Sequence, residues 1–294
     1  MPSLAMNAVP KKVLIADADN TLYSWVDYIV PSLEAMVSTL ERITGFRRDE
    51  IAGSMQKVFE KFNTNEYAFV LQEADIFADL RKDFSRFQEQ VINPSRYAFN
   101  RAREQYLQPY PGVKETLRYL VDRGIKIFIL SDAPSFSAEQ RLKRLEIAPY
   151  VSALYALKTY PLPRPTQLDQ AILNRMKAGY YRSRVGKVVE MPLGSEKPNP
   201  EGLSLLLRQE RIAPEQAVLV GDNPKKDIVV ARHCGIADVW ARYGTQISPE
   251  MRSKLSYYSA PSVQRRNVAD EEEMRIIPTH VIGRFDQLLE LGLF

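Results

Sequence analysis

The 294-residue chain has the composition of an ordinary globular protein, since 45% of its residues are hydrophobic and 26% are charged. Its length allows one large domain or two modest ones. The sequence contains neither a secretory signal nor a long apolar run typical of a membrane span. The single cysteine, Cys234, excludes an internal disulfide. We therefore expect a cytoplasmic protein with no membrane partner. The net charge of +4 mildly favours an anionic ligand and is too small to indicate nucleic-acid binding.

Residues 11–25, KKVLIADADNTLYSW, join a predicted strand directly to two carboxylates. The apolar run Val13–Ala16 is typical of a parallel strand that is buried on both faces. Asp17 and Asp19 follow at the end of this strand, where ligands collect in open α/β sheets. Two acids this close repel each other unless they are compensated, and paired aspartate oxygens suit a hard cation such as Mg²⁺. A solvated turn is the alternative interpretation of this motif taken alone.

The next interval, residues 25–105, changes from strand to helix periodicity. Apolar residues recur at helical spacing, for example Leu33, Met36 and Leu40. An all-helical block placed directly after a strand end indicates a helical cap domain inserted into an α/β domain. We therefore predict a core domain formed by residues 1–24 and 106–294. Several aromatic and basic residues of the chain could face the cleft between the two: Tyr23, Trp25, Tyr67, Arg81 and Arg101.

The α/β pattern resumes with a predicted helix, Val113–Asp122, and a second apolar strand, Ile125–Leu130. Ser131 and Asp132 follow at the turn that leads into the next helix. A hydroxyl and free backbone N–H groups at such a turn can bind a phosphate oxygen. The alternative role for Ser131 is to cap the helix, and the two roles can coexist.

A third predicted strand, Ser152–Leu157, precedes a basic and aromatic stretch over residues 159–187. Its members are Arg175, Lys177, Tyr180, Tyr181, Arg182, Arg184 and Lys187. Such a composition can bind single-stranded nucleic acid, but a charge run is more often a solvated helix face. We predict no appreciable affinity for single-stranded DNA or RNA at physiological salt.

Two further segments carry charged residues at sites that suggest chemistry. Lys197 lies among prolines just before a predicted helix, where an isolated lysine is usually a surface residue. A fourth predicted strand, Ala217–Val220, ends in Gly221 and Asp222, and Asp227 opens the helix behind it. The alternative role for Asp227 is interaction with the helix dipole. Further predicted elements are the helices Glu201–Gln209, Ile228–Cys234 and Phe285–Leu291 and the strands Asp238–Ala241 and Thr279–Ile282.

Taken together, these segments resemble the four motifs of the haloacid dehalogenase-like superfamily. The matching residues, in chain order, are Asp17-Ala-Asp-Asn-Thr21, Ser131, Lys197-Pro198 and Gly221-Asp-Asn-Pro-Lys-Lys-Asp227. The opening motif is also similar to the pyrimidine 5′-nucleotidase branch, whereas many members of the phosphoglycolate phosphatase branch carry glycine in place of Asn20. The resemblance implies a Rossmann-like α/β core with a parallel sheet and an inserted helical cap.

The resemblance also implies a Mg²⁺-dependent phosphomonoesterase that works through an aspartyl-phosphate. Its substrate would be a small phosphorylated metabolite, such as a nucleoside monophosphate, phosphoglycolate or a sugar phosphate. In this scheme Asp17 is the nucleophile and Asp19 is the general acid and base. The implied phosphate-binding residues are Thr21, Ser131, Asp132 and Lys197. The implied metal site comprises Asp17, the backbone carbonyl of Asp19, Asp222 and the supporting Asp227.

Other function classes remain open at this point. A hydrolytic dehalogenase shares the fold and the nucleophile, but it requires neither a second acid nor a metal, so Asp19, Asp222 and Asp227 argue against it. A phosphosugar mutase could use every residue named above. A phosphoryl-binding or protein-interaction module is the non-enzymatic alternative, and the presence of all the expected catalytic side chains disfavours it.

Overall fold

The fold is an α/β structure built on one parallel sheet. A computed structural model describes residues 10–158, 185–267 and 275–294. Within those ranges, seven strands pair in the order β4-β3-β2-β1-β5-β6-β7, and every pairing is parallel. The strands are β1 Val13–Ala16, β2 Lys126–Pro134, β3 Ala153–Leu157, β4 Val188–Met191, β5 Ala217–Gly221, β6 Ala237–Ala241 and β7 His280–Ile282. The predicted Rossmann-like core is confirmed.

Strand β1 lies in the middle of the sheet and is buried on both faces. Leu14 and Ala16 belong to one apolar core, which continues into the helices that follow β1, while Val13 and Ile15 belong to a second core on the opposite face. Successive side chains of a strand point to opposite faces, which is why a continuous apolar run is needed here. The chain therefore emerges at Asp17 from a fully covered central strand of the sheet.

Residues 25–105, called the helical segment below, contain helices and turns without a strand. The longest helices are α1 Trp25–Thr44, α2 Arg48–Phe62 and α5 Asn93–Tyr106, and α1 packs along α5. Between α2 and α5 the predicted helical runs are broken into short pieces. These are α3 Val70–Glu73, 3₁₀ turns at Asp75–Phe77 and Leu80–Lys82, α4 Phe84–Phe87 and a π-helical turn at Gln88–Ile92.

The chain enters and leaves the helical segment at adjacent points. Tyr23 pairs with Pro109 in an isolated antiparallel bridge, and the Tyr110 N–H donates to the Leu22 carbonyl at 2.9 Å. Ser24 caps α1 by accepting from the Asp27 N–H at 3.1 Å. This geometry fits an insertion between β1 and β2, and the assignment of the segment as a separate cap domain stays a prediction.

The remaining helices cover the sheet and support the helical segment. They are α6 Val113–Asp122, α7 Ser135–Arg144, α8 Glu201–Glu210, α9 Val229–His233, α10 Pro249–Tyr258 and α11 Pro261–Asn267, with 3₁₀ turns at Ala148–Tyr150, Pro214–Gln216, Arg242–Thr245 and Phe285–Leu291. The last of these turns replaces the α-helix predicted there. Strand β4 and helices α10 and α11 were not predicted, because short and partly exposed elements carry weak periodicity.

Helix α10 and the residues after it contact the helical segment. The Arg48 guanidinium donates to the Tyr258 hydroxyl at 3.2 Å, and the Asn65 amide donates to the Ser259 hydroxyl at 2.8 Å. The helical segment is thus tied to the carboxyl-terminal part of the chain as well as to the loop after β1. Across the described ranges, no helix combines the length and the apolar character that crossing a membrane requires.

Candidate active site

The loop after β1 positions the first two candidate carboxylates. The Asp17 N–H donates to the Val220 carbonyl of β5 at 2.9 Å, which extends the sheet by one residue. Asn20 adopts a left-handed conformation with φ of 57°, and its side-chain oxygen accepts from the Trp25 N–H at 2.9 Å. Asparagine tolerates this conformation better than most residues other than glycine. The loop thus turns sharply and leaves Asp17 and Asp19 at the carboxyl end of the sheet.

Four predicted residues from three separate segments meet at this edge of the sheet. Lys197 Nζ lies 2.7 Å from Asp17 Oδ1 and 2.7 Å from Asp227 Oδ1. One oxygen each of Asp17, Asp222 and Asp227 lies within 4.8 Å of the others. All four residues are buried. We call them the Asp17 cluster.

The Asp17 cluster holds more negative than positive charge. Burial raises the pKa of Asp17 to about 7, although Lys197 opposes this shift. Burial also raises the pKa of Asp222 well above its ordinary value, and the neighbouring carboxylates of Asp17 and Asp227 add to the rise. Burial alone would lower the pKa of Lys197, but the surrounding carboxylates outweigh it and raise that pKa. Three converging carboxylates with one ammonium group can therefore hold a divalent cation, which would offset the surplus charge.

Two glycines allow the cluster to pack this closely. A Cβ atom at Gly221 would lie 2.1 Å from Cγ of Asp227. A Cβ atom at Gly244, in the 3₁₀ turn after β6, would lie 2.0 Å from the backbone oxygen of Asn20 and 2.6 Å from Cβ of Asp222. The absence of a side chain at Gly221 therefore lets the Asp227 carboxylate lie against the end of β5. Gly244 was not predicted, because nothing in its local sequence marks a contact with the first loop.

Ser131 and Asp132, which were predicted at a turn after the second strand, lie inside β2, because that strand continues to Pro134. Their side chains help to hold this region and the Lys197 loop in place. The Asp132 carboxylate accepts from the Lys197 N–H at 3.0 Å and lies 3.2 Å from Lys226 Nζ. Ser131 is buried within β2, and its hydroxyl accepts from the Ala133 N–H at 3.1 Å. The predicted phosphate-binding roles of Asp132 and Ser131 stay predictions, and the observed contacts are structural ones.

Thr21, the remaining candidate for phosphate binding, is fully buried beneath the first loop. Its hydroxyl has no hydrogen-bond partner among the described residues. Its backbone carbonyl accepts from the Tyr243 hydroxyl at 2.6 Å. This contact ties the first loop to the 3₁₀ turn after β6. Whether the hydroxyl binds a substrate oxygen stays a prediction.

Asp19 faces a different set of partners from Asp17. Its Oδ2 atom lies 3.2 Å from Nη2 of Arg141 in α7, and its Oδ1 atom has no hydrogen-bond partner in the described ranges. Arg141 also contacts the carboxylate of Glu66 and donates to the hydroxyls of Tyr23 at 2.7 Å and Tyr28 at 2.9 Å. We call these five residues the Arg141 cluster. Burial raises the pKa of Asp19 above its ordinary value, and Arg141 opposes this shift.

A small cavity adjoins Asp19 between the sheet edge and the helical segment. Its lining residues are Asp19, Trp25, Asn63, Thr64, Glu66, Asp132, Ala133 and Pro134. Trp25 is therefore the candidate cleft residue that the structure places on this cavity, whereas Tyr67 is stacked on Phe62. The basic stretch lies outside the described residues, apart from its last member, Lys187, which pairs with Glu210. Sequence reasoning missed Arg141 and Glu66.

Comparison with known proteins agrees with this geometry. The model of the haloacid dehalogenase-like hydrolase family matches residues 11–235, a range that includes all four motifs and the helical segment. The chain belongs to this family. A model of HAD-hydrolase-like proteins also matches residues 195–282. The family assignment confirms the resemblance found in the four motifs and makes the protein a hydrolase.

Individual relatives of this HAD-family chain are distant. A glyceraldehyde 3-phosphate phosphatase from Methanopyrus kandleri is 24% identical over 82% of this chain and 88% of its own length. A probable phosphoglycolate phosphatase from Pseudomonas putida is 27% identical over 46% of this chain, and the match spans 40% of that protein. Among solved structures, a 2-haloacid dehalogenase from Pseudomonas syringae has a TM-score of 0.55 at 19% identity and covers 95% of this chain and 97% of its own. This last similarity shows the fold.

Proposed function

We propose that the protein is a Mg²⁺-dependent phosphomonoesterase that acts on a small phosphorylated metabolite through an aspartyl-phosphate. The observation that carries this proposal is the Asp17 cluster, in which a strand-end carboxylate, two further carboxylates and a lysine meet in one buried site. The phosphatase names of the relatives that match across much of this chain support the same reaction class.

The first chemical step needs a nucleophile and an acid on one loop. An Asp17 oxygen attacks phosphorus, and the bond from phosphorus to the leaving oxygen breaks. Asp19, in its protonated form, gives its proton to that oxygen. The raised pKa of Asp19 favours the protonated form. Asp19 lines the cavity, and its Oδ1 atom has no hydrogen-bond partner within the described ranges. The products of this step are the alcohol and an aspartyl-phosphate at Asp17.

The second step returns both residues to their starting states. The Asp19 carboxylate takes a proton from water as the water oxygen attacks phosphorus. The bond from phosphorus to the Asp17 oxygen breaks, which frees phosphate and restores the nucleophile. Lys197, at 2.7 Å from Asp17, is placed to neutralise charge on the transferring group. Ser131 and Thr21 would contribute hydroxyls to the same group.

A divalent cation fits the carboxylates that the structure brings together. Asp17, Asp222 and Asp227 would hold Mg²⁺, with the backbone carbonyl of Asp19 as a further ligand. When bound, the ion offsets the repulsion between the Asp17 carboxylate and the phosphate ester. In the same proposal, residues 25–105 act as a cap that covers the cleft beside Asp19, over a core formed by residues 1–24 and 106–294.

The test is an assay of the purified protein with a panel of substrates, with Mg²⁺ or with a chelator. The panel contains nucleoside monophosphates, phosphoglycolate, glyceraldehyde 3-phosphate, sugar phosphates and a 2-haloacid. We expect phosphate release that requires Mg²⁺, disappears in Asp17→Asn and persists in Asp27→Asn, a matched change at an exposed aspartate. Halide release without phosphate release would establish the dehalogenase alternative and contradict the proposal. Transfer of phosphate to a second sugar hydroxyl would identify the mutase alternative.

A further inference from the structure

Arg141 is the buried cation that separates two carboxylates beside the candidate active site. It lies in α7, and its side chain is 3% exposed. Its Nη2 atom lies 3.2 Å from Asp19, and its Nη1 atom contacts Glu66. The side chains of these two acids are 17% and 14% exposed. A buried guanidinium group between two carboxylates is held by charge and by directional hydrogen bonds.

Two tyrosines fix the plane of this guanidinium group. Nε of Arg141 donates to the Tyr23 hydroxyl at 2.7 Å, and Nη1 donates to the Tyr28 hydroxyl at 2.9 Å. The Tyr28 hydroxyl in turn donates to Glu66 at 3.0 Å. Both tyrosines are fully buried. The planar donor fork of Arg141 is therefore fixed in orientation, which a lysine at this position could not reproduce.

The two carboxylate oxygens of Asp19 have different surroundings. Oδ2 is held by Arg141, whereas Oδ1 has no partner among the described residues. Anchoring one oxygen fixes the rotation of the carboxylate and leaves the other oxygen free to exchange a proton. We propose that Arg141 is a positioning residue for Asp19, and that Glu66 of the helical segment holds Arg141 in the orientation that this requires. This inference rests on the proposed phosphatase function.

Glu66 links the position of the helical segment to this carboxylate. It lies in the turn after α2, beside Asn63 and Thr64, and these three residues line the cavity next to Asp19. The Glu66 N–H donates to the Thr64 hydroxyl at 3.1 Å, which shapes the turn. The ion pair between Glu66 and Arg141 therefore connects the wall of the cleft to the residue that orients the Asp19 carboxylate. Asp19 is aligned for proton transfer when the helical segment is docked as it is here.

The test is a double-mutant cycle between Arg141 and Asp19 on two kinds of ester. Arg141→Lys keeps the charge and removes the fork. With an alkyl phosphate, whose leaving group needs a proton, we expect kcat to fall about 10- to 100-fold, because a small misplacement of a catalytic group has effects of this size. With an aryl phosphate the loss should be several times smaller, and KM should change little for both. In the Asp19→Asn background, Arg141→Lys should cause no further loss.

Glu66→Gln supplies a second variant that keeps the shape of the side chain. We expect Glu66→Gln to lower kcat less than Arg141→Lys does, and again to lower it less with the aryl phosphate than with the alkyl phosphate. Arg144→Lys, at an exposed arginine of the same helix, is the matched control and should leave both reactions unchanged. Thermal unfolding of every variant distinguishes a variant that is misfolded from one that is folded but has a misplaced Asp19 carboxylate. If Arg141→Lys does not fold, Glu66→Gln alone tests the positioning role.

The outcomes distinguish this inference from the proposed function. An equal loss on both esters, or a further loss when Arg141→Lys is added to Asp19→Asn, would overturn the positioning role. In that case the wild-type protein would still release phosphate, and Asp17 would still be required. If the wild-type protein hydrolyses no phosphate ester, the proposed function fails and the inference fails with it.

Discussion

The two aspartates of the first loop are two residues apart, yet they belong to opposite kinds of charge cluster. In the Asp17 cluster, three carboxylates converge at one edge of the sheet, and Lys197 pairs with two of them, Asp17 and Asp227. In the Arg141 cluster, two carboxylates share one arginine that also donates to two tyrosine hydroxyls. The first cluster can hold an added cation, as proposed above. In the second cluster, both carboxylates contact the arginine, and Oδ1 of Asp19 has no hydrogen-bond partner among the described residues.

The comparison teaches that each cluster suits a different task. A surplus of negative charge with a buried lysine suits a site where a metal ion and a phosphate group are both bound. A carboxylate held at one oxygen suits proton transfer, because its orientation is fixed while its second oxygen stays available. Substitutions in the two clusters should therefore impair the protein in different ways.

The largest expected effect comes from Asp17→Asn. In the proposed mechanism this change removes the nucleophilic carboxylate and a metal ligand together, so neither hydrolysis nor a phosphoenzyme should be detectable. The measurement is a burst-kinetic assay with mass spectrometry of the trapped protein. The matched change Asp27→Asn should retain the burst. A phosphoenzyme in the Asp17→Asn protein would refute the assignment of the nucleophile.

Asp19→Asn should lower the rate by about 10² to 10⁴, the usual contribution of general acid–base catalysis. The loss should be smaller with an aryl phosphate than with an alkyl phosphate, because the aryl leaving group barely needs a proton. Dephosphorylation should be slow with both, because the proposed mechanism also assigns the activation of water to Asp19. Steady-state and burst kinetics on the two esters check this. An equal impairment of both esters would place Asp19 outside proton transfer.

Lys197→Met should destabilise the folded protein by about 3–5 kcal/mol, because it leaves buried carboxylates without their ammonium partner. The Lys197 side chain is 4% exposed. Urea unfolding in a chelator measures this free energy. Lys61→Met, which breaks the exposed pair with Glu73, should cost about 1 kcal/mol or less. If both substitutions lower the free energy of unfolding by the same amount, the Lys197 ammonium group does not stabilise the Asp17 cluster.

The contribution of Asp17 to the free energy of unfolding of the metal-free protein should fall as pH rises from about 4 to about 7. Burial raises the pKa of Asp17 to about 7 from an ordinary value of 3.8, so across this window the folded state keeps a proton that the unfolded chain has released. The stabilisation that Asp17 contributes is fully present below its unfolded pKa of 3.8 and is lost as pH rises through its folded pKa of about 7. Urea unfolding at several pH values in a chelator measures it.

Mg²⁺ should weaken this pH dependence, because a bound cation favours ionised carboxylates. It should also raise the unfolding midpoint at pH 7 or above, and Asp222→Asn should reduce that gain. A wild-type midpoint that does not respond to millimolar Mg²⁺ would argue against the Asp17 cluster as a metal site.

Thr21→Val should have the smallest effect on stability, within about 1 kcal/mol, because the buried hydroxyl has no partner among the described residues. If the hydroxyl binds the phosphate group, KM should rise while the unfolding midpoint stays nearly constant. Paired kinetic and thermal measurements separate the two contributions. A large loss of stability would show that the hydroxyl already has a structural role in the free protein.

The amino-acid sequence by itself determined the parallel sheet and most of the Asp17 cluster. Apolar runs followed by Asp17 and Asp222 mark the ends of parallel strands, and those ends meet at one edge of the sheet, so the two aspartates had to converge there. Lys197 has no such local signal, and its position in the order of the four motifs identified it.

Only the tertiary structure decided the surroundings of Asp19. Arg141 points inward from α7 although its neighbours in the sequence are largely polar, and Glu66 comes from a turn whose position depends on how the helical segment docks. Gly244 is likewise marked only by its closeness to Asn20. Local periodicity predicts which elements form, whereas the contacts between distant elements depend on packing that no short stretch of sequence encodes.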